Sequence, residues 1–218
     1  MSPEDFDEAM SKAAHIADKA TWHAMREMAS RRAYDEDDTT GELIGELNAA
    51  LRGQIGPMHW KAKILRHRKG VAGEELRYGA DISFHMSYKD RNRRFSKGVL
   101  IQSKKVEPHV AMSAKEHTRL VGQCETMLTH SAASYVFDYA EGGLRVSSAN
   151  KISGLSDRYL HSNCEWTAYR FFYEFFRCPV GDRRVTTTHI GSDLIVGSKA
   201  IEDGGLPAIV EFEAIGVD

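Results

Sequence analysis

Two short runs of alternating polar and apolar residues constrain the fold of this chain more than any other feature. The first run begins at Asp81, with Ser83 and His85 at the same parity, and the second ends on Gln102 and Lys104. Side chains two positions apart in a strand share a face of the sheet. If the two runs pair as an antiparallel hairpin, a carboxylate, an amide and an ammonium group meet on one face. Such a set is suited to holding a divalent metal ion beside a lysine.

These residues resemble the motifs of the PD-(D/E)XK nuclease superfamily, in particular its Mrr-like branch, in which Gln often replaces the second acid. The resemblance covers roughly residues 40–140 and rests on residues 79–81 (GAD) and 99–104 (VLIQSK). It implies an α/β fold, namely a restriction-endonuclease-like α/β/α sandwich around a central mixed sheet. That fold has the core order helix–strand–strand–strand–helix–strand.

Hydrophobic periodicity predicts the same order of elements in this chain. The predicted core consists of a helix at 41–52, strands at 59–68, 76–88 and 98–104, a helix at 113–130 capped by Ser113, and strands at 134–139 and 144–149. A helix at 3–32 precedes the core, and an aromatic-rich helix at 165–178 and short strands near 192–196 and 207–214 follow it. We therefore expect an N-terminal helical segment (1–38), a nuclease core (39–150) and a C-terminal helical and strand extension (151–218) that packs on the core.

The resemblance implies a role for each residue of the two motifs. Asp81 would bind Mg²⁺, with Mn²⁺ as a substitute, and the ion would polarise the scissile phosphate. The amide oxygen of Gln102 and the main-chain carbonyl of Ser103 would be further ligands, and Lys104 would lie beside the attacking water. Gln102 brings no charge, which leaves open how many metal ions bind and how tightly. The alternatives are a turn aspartate at Asp81 and solvated strand-end side chains at Gln102 and Lys104.

A glutamate on the helix before the first strand often completes the site in this family. Glu46 flanks the apolar face of the helix predicted at 41–52 and is therefore the preferred candidate. Glu42 lies further toward solvent, and Glu74 or Glu75, just before the second strand, are weaker alternatives.

The charge of the chain is unevenly distributed along its length. Residues 1–50 hold twelve acidic and five basic side chains, whereas residues 61–105 hold thirteen basic and four acidic ones. A local positive field attracts a polyanion, although lysines can also protect a hairpin edge from pairing with another chain. The residues predicted to contact nucleic acid are Lys89, Arg91, Arg93, Arg94, Lys97 and Gln123.

Composition excludes several other classes of protein. The mean hydropathy is −0.43, and no apolar run approaches the about 20 residues that span a bilayer. The acidic N-terminus lacks the pattern of a secretion signal, and three distant cysteines do not form a disulfide framework, so we expect a cytoplasmic protein without a membrane partner. The sequence has no P-loop, dinucleotide fingerprint, nucleophile elbow or paired zinc-ligand spacing.

Three functional hypotheses remain. The first is a metal-dependent nuclease that hydrolyses phosphodiester bonds, with DNA (or RNA) as partner and restriction or anti-phage defence as the setting that the resemblance implies. The second is a nucleic-acid-binding module of the same fold that does not cut, which the neutral Gln102 favours. The third is a helical interaction protein, with the acidic N-terminal helix and the aromatic helix at 165–178 as docking faces and the aromatic helix as the face for a homodimer or larger assembly.

Overall fold

The computed structural model describes residues 1–30, 35–67, 75–185 and 206–216. The helices are α1 (Pro3–Ser30), α2 (Glu36–Ala50), α3 (Glu75–Tyr78), α4 (Ala114–His130), α5 (Ala149–Ser153), α6 (Leu160–Asn163) and α7 (Ala168–Arg177). The strands are β1 (Gly53–Ile55), β2 (Met58–His67), β3 (Ile82–Lys89), β4 (Arg94–Lys104), β5 (Ser134–Ala140), β6 (Gly143–Ser148), β7 (Trp166–Thr167) and β8 (Ala208–Gly216). Among these helices, none is both long enough and apolar enough to cross a bilayer.

The strands form one mixed sheet in the order β1-β2-β8-β3-β4-β5-β6-β7. β3 and β4 pair as an antiparallel hairpin, from the pair Ile82–Ile101 to the pair Lys89–Arg94. β4 and β5 are parallel, with α4 as the crossover between them. The predicted hairpin is therefore confirmed and the fold is α/β, but the elements from α2 to β5 include two that the prediction lacked, the short strand β1 and the helix α3.

The C-terminal strand lies in the interior of the sheet. β8 pairs in parallel with β3 and antiparallel with β2, so it separates the first two strands of the predicted core. The C-terminal segment thus contributes an internal strand, in addition to α7, which packs on the sheet. The strand predicted near 192–196 lies outside the described residues.

Helices cover both faces of the sheet, because alternate side chains of each strand point to opposite faces. Ile82, Phe84 and Phe137 pack with α1, α2 and α7 on one face. Leu100 and Val136 pack with α4, α5 and α6 on the other. Each fully buried phenylalanine contributes about 2 kcal/mol to folding. This layering places the end of β4 between α2 and α4.

The aromatic helix predicted at 165–178 is α7, and its four phenylalanines are fully buried. α7 packs along α1, where Asp7 accepts a hydrogen bond from the Tyr173 hydroxyl at 2.8 Å and pairs with Arg177 at 2.7 Å. The prediction that this helix offers a docking or dimerisation face is wrong, because the chain itself covers its apolar side chains.

α2 begins at Glu36, before the start predicted at residue 41. Asp35 is the N-cap, and its Oδ1 accepts a hydrogen bond from the main-chain nitrogen of Asp38 at 2.8 Å. The acidic side chains of the first turn also interact favourably with the helix dipole. The acidic run at 35–38, interpreted from sequence as a solvated linker, is therefore the start of a helix.

Of two further predictions, one is partly wrong and one is confirmed. The strand predicted at 76–88 is shorter than expected, because its first residues belong to α3, which ends at Tyr78, and β3 starts only at Ile82. The predicted cap of α4 is confirmed: Ser113 Oγ accepts from the main-chain nitrogen of Glu116, and the Glu116 carboxylate accepts from the main-chain nitrogen of Ser113, each at 3.2 Å.

Candidate active site

A glycine turn sets the position of Asp81 between α3 and β3. Gly79 has a φ of 67°, in the left-handed region that glycine adopts without strain. A Cβ at this position would lie 2.3 Å from the main-chain oxygen of Gln123, so α4 packs directly on the turn. The main-chain nitrogen of Asp81 then donates to the oxygen of Ile101 at 2.9 Å. These contacts hold Asp81 next to the last residue pair of the β3–β4 hairpin, Ile82 and Ile101, and beside the end of β4.

We expect Gly79→Ala to lower the free energy of unfolding by about 2–4 kcal/mol, because it combines a strained φ with a clash against the α4 backbone. Denaturant unfolding measures the change. Gly45→Ala is the matched control: an added Cβ there meets nothing within 4 Å, and helix propensity predicts a gain of about 0.5–1 kcal/mol. Equal stabilities of the two variants would contradict the close approach of α4 to the turn.

The carboxylate of Asp81 is buried and accepts three hydrogen bonds on one oxygen. Its Oδ2 accepts from Gln102 Nε2 at 2.5 Å, from the main-chain nitrogen of Ser103 at 2.8 Å and from Ser103 Oγ at 2.6 Å. The structure therefore brings Asp81, Gln102 and Ser103 into direct contact, as the paired strands predict.

Burial raises the pKa of Asp81 to about 7, although its neighbours act in both directions. The Lys104 ammonium and the hydrogen bonds from Ser103 lower the pKa, and the Glu36 carboxylate raises it. Near neutral pH this carboxyl group is therefore poised between its protonated and ionised forms. A cation bound beside it would favour the ionised form.

Gln102 is fully buried, and its two amide atoms are in different situations. Nε2 donates to Asp81 and, at 3.1 Å, to the main-chain oxygen of Ser103. Oε1 has no hydrogen-bond partner among the described residues. A buried acceptor without a donor costs about 1–3 kcal/mol, and a half-turn of the amide exchanges its oxygen and nitrogen. The side chain thus carries an unsatisfied oxygen that a cation or a water molecule can use.

Lys104 lies at the end of β4 and pairs with a residue that the sequence analysis did not select. Its Nζ lies 3.0 Å from Glu36 Oε1, and the two side chains are 14% and 32% exposed. Glu36 lies at the start of α2, the helix on which Glu46 is the predicted fourth acid. The cap signal at Asp35, followed by an acid three residues later, would have placed Glu36 on the helix.

A buried hydroxyl network ties α2 to the end of β4. Thr40 Oγ1 lies 3.0 Å from the Tyr139 hydroxyl and 3.4 Å from Ser103 Oγ, which itself donates to Asp81. The network is remote from water, so each hydroxyl depends on the others for its hydrogen bonds. It fixes the first turn of α2, and with it Glu36, relative to the Asp81 carboxylate.

Lys104 and Glu36 line a pocket of about 290 Å³ beside the end of β4, whereas Asp81, Gln102 and Ser103 are buried and are not among its lining residues. The pocket is lined by Asp35, Glu36, Asp37, Lys104, Glu116 and Arg119. The end of β4, the start of α2 and the first turns of α4 thus meet around it. A carboxylate-rich pocket with a lysine and an arginine can accept a divalent cation together with an anionic group.

No family model, curated protein or solved structure matches this chain. The resemblance to PD-(D/E)XK nucleases thus rests on the two motifs and on the order of the elements.

The donor atoms at this site fit a hard divalent cation. Among the described residues, no group of three or more His, Cys, Asp and Glu side chains is placed to hold a metal ion. Amide and main-chain oxygens are also suitable ligands for Mg²⁺. Asp81 supplies a carboxylate, and Gln102 supplies a buried oxygen without a hydrogen-bond partner among the described residues. Glu36 supplies a second carboxylate, which is near enough to raise the pKa of Asp81. The chemistry of this oxygen set suits Mg²⁺ or Mn²⁺ rather than zinc.

The predicted fourth acid lies further along α2 than the acid that pairs with Lys104. Glu46 lies ten residues beyond Glu36 on α2, which corresponds to about 15 Å along the helix axis. Glu42 lies about 9 Å along the same axis. Glu74 and the side chain of Glu75 are outside the described residues. Glu36 is the acid that the structure brings to Lys104.

Gln123 and His85 lie close to the site in the fold but differ in their surroundings. Gln123 is buried on α4, where its main chain packs against the Gly79 turn. His85 is 1% exposed, and its Nε2 lies 2.9 Å from Ser83 Oγ, so it is a buried sheet histidine that cannot contact DNA. Burial lowers the pKa of His85 to about 3 and keeps the imidazole neutral.

The basic hairpin tip lies at the opposite end of the sheet from Asp81. Lys89 and Arg94 close the hairpin, seven residue pairs from Ile82 and Ile101. At about 3.4 Å per residue, this separation is roughly 24 Å. Lys89, Arg91, Arg93 and Arg94 are exposed there, but they do not surround the site. The four exposed basic side chains of the hairpin tip therefore lie away from the site, whereas Lys104, in the same basic segment of the sequence, lies at it.

Lys97 is buried and does not belong to the exposed basic surface. It is 2% exposed, its Nζ donates to the Val180 oxygen at 2.5 Å, and the ammonium lies 5.1 Å from the Phe175 ring centroid. Burial lowers the pKa of Lys97 to about 7. The prediction that Lys97 contacts nucleic acid is wrong, because α7 and the segment after it enclose the side chain.

A second buried carboxylate lies next to the site and was not selected from sequence. Asp138 on β5 is opposite Lys104 in the parallel pairing of the strands. Its Oδ2 lies 2.8 Å from His161 Nδ1, and its Oδ1 accepts from the main-chain nitrogen of Val106 at 3.1 Å. Burial raises the pKa of Asp138 to about 6. The pair anchors the chain just after Lys104.

Proposed function

We propose that this protein is a metal-dependent nuclease of the restriction-endonuclease-like fold that hydrolyses phosphodiester bonds, with DNA as its substrate class. The observation that carries the proposal is the contact between the buried Asp81 carboxylate and the residues at the end of β4, with Lys104 and Glu36 beside it. Restriction or anti-phage defence in the cytoplasm is the setting that the motif resemblance implies.

In this proposal one set of groups binds the metal ion, and Lys104 acts on the phosphate. Asp81, the Gln102 amide oxygen, the Ser103 carbonyl and Glu36 are the groups that would hold Mg²⁺. When bound, the ion supplies Lewis-acid polarisation of the phosphate and lowers the pKa of a bound water. The Lys104 ammonium is held by Glu36 at the mouth of the pocket, where it offsets negative charge that develops on the phosphate.

The second candidate is a nucleic-acid-binding protein that does not cut. Two observations favour it: Gln102 is neutral, and burial raises the pKa of Asp81 to about 7, so a cation must compete with a proton at neutral pH. Salt-dependent binding of DNA without any metal-dependent cleavage would support this candidate over the nuclease.

The direct test is incubation with plasmid DNA and with single-stranded DNA in Mg²⁺ or Mn²⁺. The nuclease proposal expects cleavage that excess EDTA abolishes and that increases from pH 6 to pH 8 as Asp81 ionises. Cleavage that persists undiminished in EDTA would refute a metal-dependent mechanism.

We expect Glu36→Gln to reduce the cleavage rate by about 10- to 100-fold, because it removes a carboxylate from the site and releases Lys104. Glu46→Gln is the matched control, since it makes the same chemical change on the same helix about 15 Å away. Initial rates of plasmid cleavage at fixed Mg²⁺ measure both. A loss of activity in Glu46→Gln alone would return the role to the residue first predicted.

A further inference from the structure

Arg119 lies in the pocket beside Lys104, on the second turn of α4, and its side chain is exposed. The basic side chains that the sequence analysis assigned to nucleic acid lie elsewhere. Four of them are at the hairpin tip, and Lys97 is enclosed by α7 and the segment after it. Among the described residues, Lys104 and Arg119 are the cations that line the pocket. Contacts with a phosphate at this place therefore fall to these two side chains.

The carboxylates of the pocket have defined partners within the protein. Glu116 accepts hydrogen bonds from the Ser113 hydroxyl at 2.8 Å and from the Ser113 main-chain nitrogen at 3.2 Å, and these bonds lower its pKa. Asp35 caps α2. Glu36 pairs with Lys104. Two of the negative charges are thus directed at helix N-termini, where they stabilise the helices, and a third is directed at Lys104.

The charge balance of the pocket makes anion binding depend on a cation. Four carboxylates and two cationic side chains line it, so the formal charge of the lining is −2. An isolated phosphate is repelled by this excess of negative charge. The charge of one divalent cation brings the sum to zero. A phosphate contact in the pocket is therefore expected in the presence of a divalent cation and not in its absence.

The guanidinium of Arg119 is better suited to hold a phosphodiester than an ammonium group is. It is planar, and two parallel N–H groups can donate to two oxygens of the same phosphate. Lys104 acts as a point charge without that directional preference. The pocket volume of about 290 Å³ lies at the lower end of the range for small-ligand sites, roughly 300–1,000 Å³. It admits a phosphate group together with a cation.

The helix α4 fixes Arg119 relative to Asp81. The capping box at Ser113 holds the start of the helix. One turn after Arg119, the main-chain oxygen of Gln123 packs against Gly79, where an added Cβ would lie 2.3 Å from it. Side chains on regular elements are positioned more precisely than side chains on loops. Arg119 is thus carried by the helix that packs on the turn before Asp81.

We propose that Arg119 is a substrate-positioning residue that binds a backbone phosphate of nucleic acid in the pocket beside Lys104, when a divalent cation is present. The inference rests on the proposed function and deepens it, because it assigns the grip on the substrate to α4 rather than to the hairpin tip. Lys104 remains the group that acts on the scissile phosphate, and Arg119 holds the strand in place.

The test is binding of a fluorescent DNA duplex in Ca²⁺, which takes oxygen ligands with a more flexible geometry than Mg²⁺. A gel of the recovered DNA checks that it is intact. We expect Arg119→Ala to weaken binding by about 10- to 100-fold and to reduce the slope of log K against log salt by about 0.9. Arg119→Lys should retain part of the affinity, because it keeps the charge but not the planar donor pair. In EDTA the difference between wild type and Arg119→Ala should disappear.

Lys115→Ala is the matched control. Lys115 is an exposed cation about one turn earlier on α4, and it is not among the residues that line the pocket. We expect this variant to bind DNA as wild type does. An equal loss of affinity in Arg119→Ala and Lys115→Ala would assign binding to the overall charge of α4 and overturn the inference.

The outcomes separate this inference from the nuclease proposal. If Arg119→Ala binds DNA as tightly as wild type, the inference is overturned, whether or not the protein cuts DNA in Mg²⁺. A wild-type protein that does not bind DNA in Ca²⁺ overturns it as well. A loss of affinity confined to the Arg119 variants, with an unchanged Tm, supports the inference even if no cleavage is found in Mg²⁺, a result that would reject the nuclease alone.

Discussion

Replacing Lys104 with methionine is expected to reduce metal-dependent cleavage by roughly 100- to 1,000-fold. The ammonium is the cation that Glu36 holds at the mouth of the pocket, and it is placed to offset charge on the phosphate in the transition state. Methionine keeps the length of the side chain but provides neither charge nor hydrogen-bond donors. Single-turnover cleavage of labelled DNA at saturating enzyme isolates the chemical step from binding.

The stability of the Lys104→Met variant should change little. A partly exposed ion pair contributes at most about 1 kcal/mol, so a large loss of activity cannot come from unfolding. Lys105→Met is the matched control, because it removes the adjacent lysine, whose side chain is exposed. If both variants cleave DNA at the wild-type rate, Lys104 has no part in the chemistry and the proposed site fails.

Local patterns in the sequence predict the hairpin and the meeting of the motifs. Alternation in β3 and β4 fixes which side chains share a face, and the pairing of Ile82 with Ile101 then brings Asp81 to the end of β4. Parity also explains the error at Lys97. This residue shares its face with Val99 and Ile101, which pack in the core, so parity rather than charge indicates its burial.

Long-range arrangements are not encoded in such patterns. β8 enters the sheet between β2 and β3 although many residues separate it from either strand, and no local signal specifies that neighbour. The cap signal at Asp35 places Glu36 on a helix, but no local pattern indicates that Glu36 meets Lys104, which lies 68 residues later in the chain. Residues 89–94 and Asp81 are close in sequence yet lie at opposite ends of the β3–β4 hairpin, so a charge count along the sequence does not show which side chains surround the site.

Asp81→Asn is expected to stabilise the metal-free protein at pH 8 by about 1–3 kcal/mol. Asparagine keeps an oxygen that can accept the same three hydrogen bonds, but it removes a buried negative charge. The folded-state pKa of about 7 exceeds the ordinary aspartate value of 3.8, so the native state binds this proton more tightly than the unfolded state does. Wild-type stability must therefore rise as the pH falls from about 7 toward 4.

The difference between wild type and Asp81→Asn isolates this effect, because Asp138 also has a raised pKa of about 6 and titrates in both proteins. Urea unfolding from pH 4 to pH 8 in EDTA should show the variant's advantage at pH 8 and its progressive loss as the pH falls from about 7 to about 4. The difference between the ordinary pKa of 3.8 and the folded-state pKa of about 7 sets an upper limit of roughly 4 kcal/mol on the variant's advantage.

Mg²⁺ at pH 8 should raise the Tm of wild type and leave that of the variant unchanged, because only the ionised carboxylate attracts the cation. If the free energies of unfolding of the two proteins change in parallel with pH, Asp81 is not the buried, proton-binding group on which the metal site depends.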